Sequence, residues 1–153
     1  MTTPSVTLRL TVAYGQYLET MTSTLNQRLD RFLCFIQFLL GASVFADSRY
    51  GWLTGTLIAL ISAFQFACKP GNTAGHARLQ ALQYKTLGDE IDKLAHDEAL
   101  RRLHDIEKND STFSTLLCNP ARLRALISLD LKPDTTLNRC ERVIAALAGG
   151  IPR

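Results

Sequence analysis

Two apolar runs constrain the fold of this chain more than any other feature. Phe32 to Ala46 is 15 consecutive residues without a charge, and Tyr50 to Cys68 is 19. As α-helices they measure roughly 22 and 28 Å at about 1.5 Å per residue. The second reaches the length of a bilayer span. The first is short and needs Leu29 and Ser48 at its ends, with Arg28 and Arg31 snorkelling to the head groups. Neither run keeps a charged face for water, which separates them from the helices of a soluble hairpin. A signal peptide ending at Val44-Phe45-Ala46 requires a 31-residue leading region, far longer than usual. The expectation is a transmembrane hairpin over 32–68 in an all-α chain.

The flanking charges orient it. Arg28 and Arg31 precede the first run, and Lys69, Arg78 and Lys85 follow the second. The connector D-S-R-Y-G carries one acid and one base. Positive charge is retained on the cytoplasmic side, so both termini are expected there, with the connector outside. Tyr50 and Trp52 fall at the outer boundary, where amphipathic rings are favoured.

On a helix at 100° per residue the second run has three sides. Gly55, Ala59, Ala63 and Ala67 form an i, i+4 line of small residues, which permits close helix approach. Leu53, Leu57, Leu60 and Phe64 make a bulky side. Thr54, Ser62 and Gln65, with Ile58 and Ile61 between them, make a polar edge. In the first run Cys34, Gln37, Gly41, Val44 and Ser48 share a side. Polar groups in lipid must find partners or water. Two readings of the edge stand side by side: interhelical hydrogen bonds, or a water-filled lumen lined by Gln37, Thr54, Ile58, Ile61, Ser62 and Gln65, with Ile58 and Ile61 as a dewetting gate. Two helices cannot enclose a pore, so a lumen requires a homo-oligomer, taken here as a tetramer.

The rest of the chain divides into three parts. Residues 1–31 read as an amphipathic helix starting near Thr3-Pro4-Ser5, with a stripe of Leu10, Tyr14, Tyr17, Met21, Leu25 and Arg28. It is expected to continue into the first run, its stripe covered by the helix that leaves the membrane. Residues 69–110 read as a long cytoplasmic helix. K-P-G-N-T breaks the chain, Thr73 caps, and Leu87, Ile91, Leu94 or Ala95, Ala99, Leu103 and Ile106 keep helical spacing to about Lys108. Residues 111–153 read as a small, helical, basic region. A short helix is expected near 114–117, one over 120–129 with Asn119 as cap, and one capped by Asp134 or Thr135 and ended by Gly149-Gly150.

This C-terminal part holds six Lys/Arg against three Asp/Glu. Arg122, Arg124, Lys132, Arg139 and Arg142 are candidates for an anion pocket, because the guanidinium suits bidentate phosphate contacts. Scattered surface cations are the plainer reading of the same residues. No catalytic site stands out: there is no phosphate-cradling glycine loop, no G-x-S-x-G and no H-E-x-x-H. His96 and His104 lie two turns apart, too far to grip one metal. His76 reads as an interfacial hydrogen-bonding residue. Cys34, Cys68, Cys118 and Cys140 have no metal spacing and read as small apolar residues of a reducing compartment. No cofactor and no enzymatic activity are expected.

The order of parts resembles the SLATT family of bacterial two-helix membrane effectors. The resemblance rests on R-L-D-R-F entering the first run, a short connector, a second run from Trp52, F-Q-F-A-C-K-P after it, and A-G-H-A-R-L-Q-A-L-Q-Y-K-T-L-G-D-E-I. In that last segment His76, Tyr84, Leu87, Glu90 and Ile91 match the family's pattern. It covers residues 8–108 and excludes the C-terminal 45, which read as a separate appendage. The resemblance implies an oligomeric inner-membrane pore that kills or arrests an infected cell in anti-phage defence. It also implies a partner nucleotidyltransferase whose nucleotide or oligonucleotide product controls the pore, with Hailong-type systems as one setting. A membrane-anchored scaffold without conduction is the alternative.

Overall fold

The computed structural model describes residues 6–46, 51–112, 114–133 and 136–150, apart from the side chains of 44–46. The expected start at Thr3-Pro4-Ser5, the connector residues through Tyr50, and the caps Asp134 and Thr135 lie outside these residues. The described residues are helical or irregular, with no strand among them. The helices are α1 (Val6–Ala46), α2 (Gly51–Cys68), α3 (Pro70–Glu90), α4 (His96–Glu107), α5 (Cys118–Ser128) and α6 (Arg139–Leu147), with a 3-10 turn at Thr115–Leu117.

The amphipathic N-terminal segment and the first apolar run form one unbroken helix. At 41 residues, α1 is about 60 Å long. It pairs antiparallel with α2 and then with α3 in one running register. Gln37 Nε2 donates to Ser62 Oγ at 2.9 Å, and Gln65 Nε2 lies 3.5 Å from Cys34 Sγ. Stepping back along α1, Ser23 Oγ donates to the Ala74 carbonyl at 2.8 Å, Gly15 meets Tyr84, and Arg9 pairs with Asp92.

K-P-G-N-T kinks this partner rod without ending it. Lys69 alone leaves the helix, in the left-handed conformation (φ 43°, ψ 53°), and α3 resumes at Pro70. Proline is accommodated at the first helical position, where its missing N–H has no helical partner to lose. Thr73 is therefore inside α3 and does not cap it; its N–H donates to the Lys69 carbonyl at 3.1 Å. Within Gly51–Glu90 one stretch is long and apolar enough to cross a membrane, and none of it is buried inside the chain.

The single long helix expected over 74–108 is two helices. The chain turns at Ile91–Leu94, Ala95 is extended (φ −67°, ψ 148°), and α4 folds back. The reason is burial. Pairing with α1 has reached Arg9 by Asp92, so a straight continuation would carry Ala99, Leu103 and Ile106 beyond Leu8 and Val12. Folded back, Ala99 and Leu103 are buried with Leu8, Val12, Tyr84, Leu87 and Ile91, with Leu94 and Ile106 packed against them. Arg102 fastens the return, reaching Glu90 at 2.8 Å and Glu98 at 3.2 Å.

The C-terminal region is not an appendage. Leu117 and Ala121, with Ala145 and Ala148 of α6 and its end, are buried against Leu18 and Met21, and Tyr14, Tyr17 and Leu25 complete the cluster. The expected stripe of α1 is thus covered by α5 and α6. The helix that leaves the apolar segment covers a different line: Leu8, Val12, Gly15, Glu19 and Thr22. Two cap assignments also shift. Leu117, not Asn119, precedes α5, and the Asn119 side chain donates to Glu141 Oε1 at 2.7 Å. Asn138 begins α6 in a capping box with Glu141. Gly149 and Gly150 end it as expected, at φ 119° and 112°, and the Gly150 N–H returns to the Ala145 carbonyl at 3.0 Å. That closure needs a positive φ, which glycine adopts without strain.

Candidate functional site

The residues expected to line a lumen divide between two places on the α1–α2 pair. Thr54, Ile58, Ile61 and Gln65 are half-buried, at the three- and four-residue spacing of a helix seam, and face α1. Ile58 and Ile61 are in this arrangement seam residues within one chain. Gln37 and Ser62 lie on the flank of the seam. On each helix the polar members are three apart, Cys34 with Gln37 and Ser62 with Gln65, so both cross-helix contacts bridge the same edge. Ser62 Oγ also donates to the Ile58 carbonyl at 2.8 Å. Thr54 Oγ1 donates to the Gly51 carbonyl at 3.0 Å.

The result is a polar strip that bridges the two helices along one side of a mainly apolar rod, whose other exposed hydroxyls, Ser43 and Thr56, bond back to their own helix at the Leu40 and Trp52 carbonyls. Around it Phe38, Trp52 and Phe66 are exposed to 74%, 73% and 79%. The small-residue line Gly55, Ala59, Ala63 and Ala67 is exposed throughout and borders the Ser62 edge. A Cβ built on Gly55 meets nothing within 4 Å. At the end of the rod the Lys69 ammonium stands 5.6 Å from the Phe66 ring centroid, a cation–π distance.

Below the rod lies a buried polar cluster that the apolar periodicity of α1 conceals. Glu19 is 2% exposed. Its Oε1 accepts the Ser111 N–H at 2.8 Å, and the Ser111 hydroxyl is 3.1 Å from His76 Nδ1. Gln80 donates to the Ile106 carbonyl at 3.3 Å. Three neighbouring buried atoms have no protein partner: Glu19 Oε2, Thr22 Oγ1 and Gln80 Oε1. The antiparallel register sets Glu19 across from Gln80. Burial raises the Glu19 carboxyl above the usual carboxylate range, and the Ser111 N–H opposes that shift. A protonated Glu19 has a proton to donate to an acceptor on Gln80 or Thr22, which an ionised one lacks.

Tyr84 adjoins this cluster. Its ring is buried against Gly15, and its hydroxyl donates to both Asp110 oxygens at 2.9 Å. Burial, and then the Asp110 hydrogen bond, raise the tyrosine hydroxyl. Burial raises Asp110, against the Tyr84 bond. The cluster therefore ties α1, α3 and the segment after α4 together. The signal for it is a second heptad line in α1, Val12-Gly15-Glu19-Thr22, in which two polar residues and a glycine replace the expected apolar ones.

The five cations proposed to hold an anion do not act as one group. The Arg124 guanidinium donates to the Gly150 carbonyl and is committed to the end of α6. Arg122 lines an open cavity of about 390 Å³ with Leu10, Thr11, Tyr14, Cys118 and Asn119. Burial pushes the Tyr14 hydroxyl there up to about 12. Arg139 and Arg142 are exposed on α6, and Lys132 is exposed in the preceding segment. Of the histidines, His76 makes the hydrogen bond expected of it, to Ser111.

No protein-family model, curated protein or solved structure matches the chain.

Proposed function

We propose that the chain is a membrane-embedded effector whose α1 and α2 cross a bacterial inner membrane as a hairpin, with both termini cytoplasmic, and that copies assemble around a pore. The observation that carries this reading is the exposed, mainly apolar rod with a polar strip that bridges its two helices, Cys34, Gln37, Ser62 and Gln65, along one edge. An apolar exterior is stable in lipid and not in water. Within one chain the strip makes two cross-helix contacts, Gln37 with Ser62 and Gln65 with Cys34, and its remaining amide groups are left at the surface. The small-residue line beside it offers a neighbouring helix close approach. Several copies arranged that way, as in a tetramer, turn their strips inward, and neutral hydroxyl and amide dipoles then line a weakly selective lumen.

The likeness to SLATT effectors supplies the biological setting: depolarisation and growth arrest or death during phage infection, controlled by a nucleotide or oligonucleotide from a partner nucleotidyltransferase. Arg122 remains the candidate contact for such an anion, since it lines a cavity next to α1, the helix that continues into the rod. The reading is of a protein without catalysis.

The satisfied Gln37–Ser62 bond also favours a second reading, a membrane-anchored scaffold whose polar strip serves packing alone. Expression in cells loaded with a potential-sensitive dye separates the two. The pore reading expects depolarisation on induction, altered by Ser62→Leu at equal membrane content. Undiminished membrane potential with protein inserted and nucleotide supplied would leave the scaffold.

A further inference from the structure

We infer that α6 is a membrane-surface element that seats its outer face on the anionic head groups of the cytoplasmic leaflet, an inference that rests on the membrane reading above. The helix has two faces. Ile144, Ala145 and Ala148 are packed in the α1 cluster. At 100° per residue Cys140, Val143 and Leu147 lie within about 60° of one another on the flank beside Ile144, and Val143 and Leu147 are 61% and 51% exposed. Arg139, and beyond it Arg142, border that apolar flank on the side turned away from the α1 cluster, both exposed. Apolar residues with arginines alongside are the composition of helices that lie in the interface of anionic membranes.

Position supports the same occupant. Arg28 Nη1 donates to the carbonyls of Leu147 at 2.8 Å and Ala146 at 3.3 Å, so the end of α6 is fastened to α1 at Arg28. Apart from Val6 at its first turn, the large exposed apolar residues of α1 begin at Leu29 and Phe32. Phe32 is four residues beyond Arg28, about 6 Å along a helix. The head-group layer is roughly 5–8 Å deep on each side of the hydrocarbon. The end of α6 therefore lies at head-group depth once α1 enters lipid. Arg28 and Arg31 add cationic charge at the same level.

The test uses tryptophan quenching by brominated lipids in proteoliposomes of the full chain. Trp52 is the chain's one tryptophan and reports on insertion of α2. Trp52→Phe combined with Val143→Trp moves the reporter to α6, and Trp52→Phe combined with Leu100→Trp moves it to exposed α4 as a distant control. Expected are strong quenching at position 52, quenching at 143 at least half as strong in vesicles with 30% phosphatidylglycerol, and none at 100. Quenching at 143 should fall at least twofold in purely zwitterionic vesicles, or on Arg139→Gln with Arg142→Gln. No quenching at 52 overturns the membrane reading itself. Quenching at 52 without quenching at 143 overturns only the α6 assignment. A residue 143 shielded from both lipid and aqueous acrylamide assigns the face to a protein contact, and equal quenching in neutral lipid removes the anionic head group; both contradict the proposal.

Discussion

The Tyr84 ring lies where a side chain on Gly15 would be: a Cβ built there comes within 2.5 Å of the ring. The ring has little freedom to yield, because its hydroxyl is held by both oxygens of Asp110. Gly15→Ala should therefore separate α1 from α3 locally, at a cost of about 1–3 kcal/mol for overpacking a close-packed site. Tyr84→Phe keeps the ring and loses the hydrogen bond, which costs about 1–2 kcal/mol. Denaturant unfolding in detergent, followed by helical circular dichroism, should rank the alanine variant as the less stable of the two. Equal stability of wild type and Gly15→Ala would contradict the packing described.

Glu19 makes stability depend on pH in a defined direction. Its folded pKa is raised, so the folded state holds the proton more tightly than the unfolded chain, whose glutamates titrate near about 4.3. Below that value both states are protonated and Glu19 contributes no pH dependence. As pH rises from there through the raised folded value, the unfolded state loses its proton first and stability falls. Glu19→Gln can still accept the Ser111 N–H and can donate toward Gln80 or Thr22. It should flatten the slope and gain on the wild type from weakly acidic pH to neutral, as read by thermal midpoints at several pH values.

The antiparallel register of α1 and α2 is open to cross-linking. Cys34 Sγ lies 3.5 Å from Gln65 Nε2, so Gln65→Cys with the other cysteines replaced should be joined to Cys34 within one chain by a short bifunctional thiol reagent, which spans the reach that cysteine lacks relative to glutamine. The cross-link should appear as a monomer of altered gel mobility, absent for a cysteine at Phe66, which faces outward. Cross-linking between chains in its place would mean that the strip contacts a neighbour and not its own α1.

Asn138 and Glu141 cap α6 reciprocally, with the Glu141 carboxylate accepting the Asn138 N–H at 2.8 Å. Asn138→Ala should cost about 1 kcal/mol. Because α6 is short, the loss should show as faster amide exchange over 140–148 while α1 and α3 keep their protection.

How far the chain discloses its own fold depends on the range of the forces involved. The two apolar runs are legible because the absence of charge over 15 and 19 residues is a local property. The Gly149-Gly150 stop is legible for the same reason. The turn at Ile91–Ala95 is not. No glycine or proline marks it, and the helical spacing of Leu87, Ile91, Leu94 and Leu103 runs straight through it. It exists because folding back buries Ala99 and Leu103 against residues nearly a hundred positions earlier. The polar cluster is hidden for a related reason: nothing in the local spacing singles out Glu19 or Gln80 until the register places them opposite one another. The strip of Gln37, Ser62 and Gln65 was legible as an edge, but its two cross-helix bonds require knowing which residues of α1 lie beside α2.

The most direct test of the central proposal is current through a planar bilayer containing the purified, folded, oligomeric protein, with and without nucleotides from a candidate partner enzyme. The account predicts discrete conductance steps in at least one of those conditions, with amplitude or open time changed by Ser62→Leu and Gln37→Leu and unchanged by Leu60→Ile on the bulky side. A bilayer that stays silent in every condition, with the same preparation shown to be inserted, would contradict a pore.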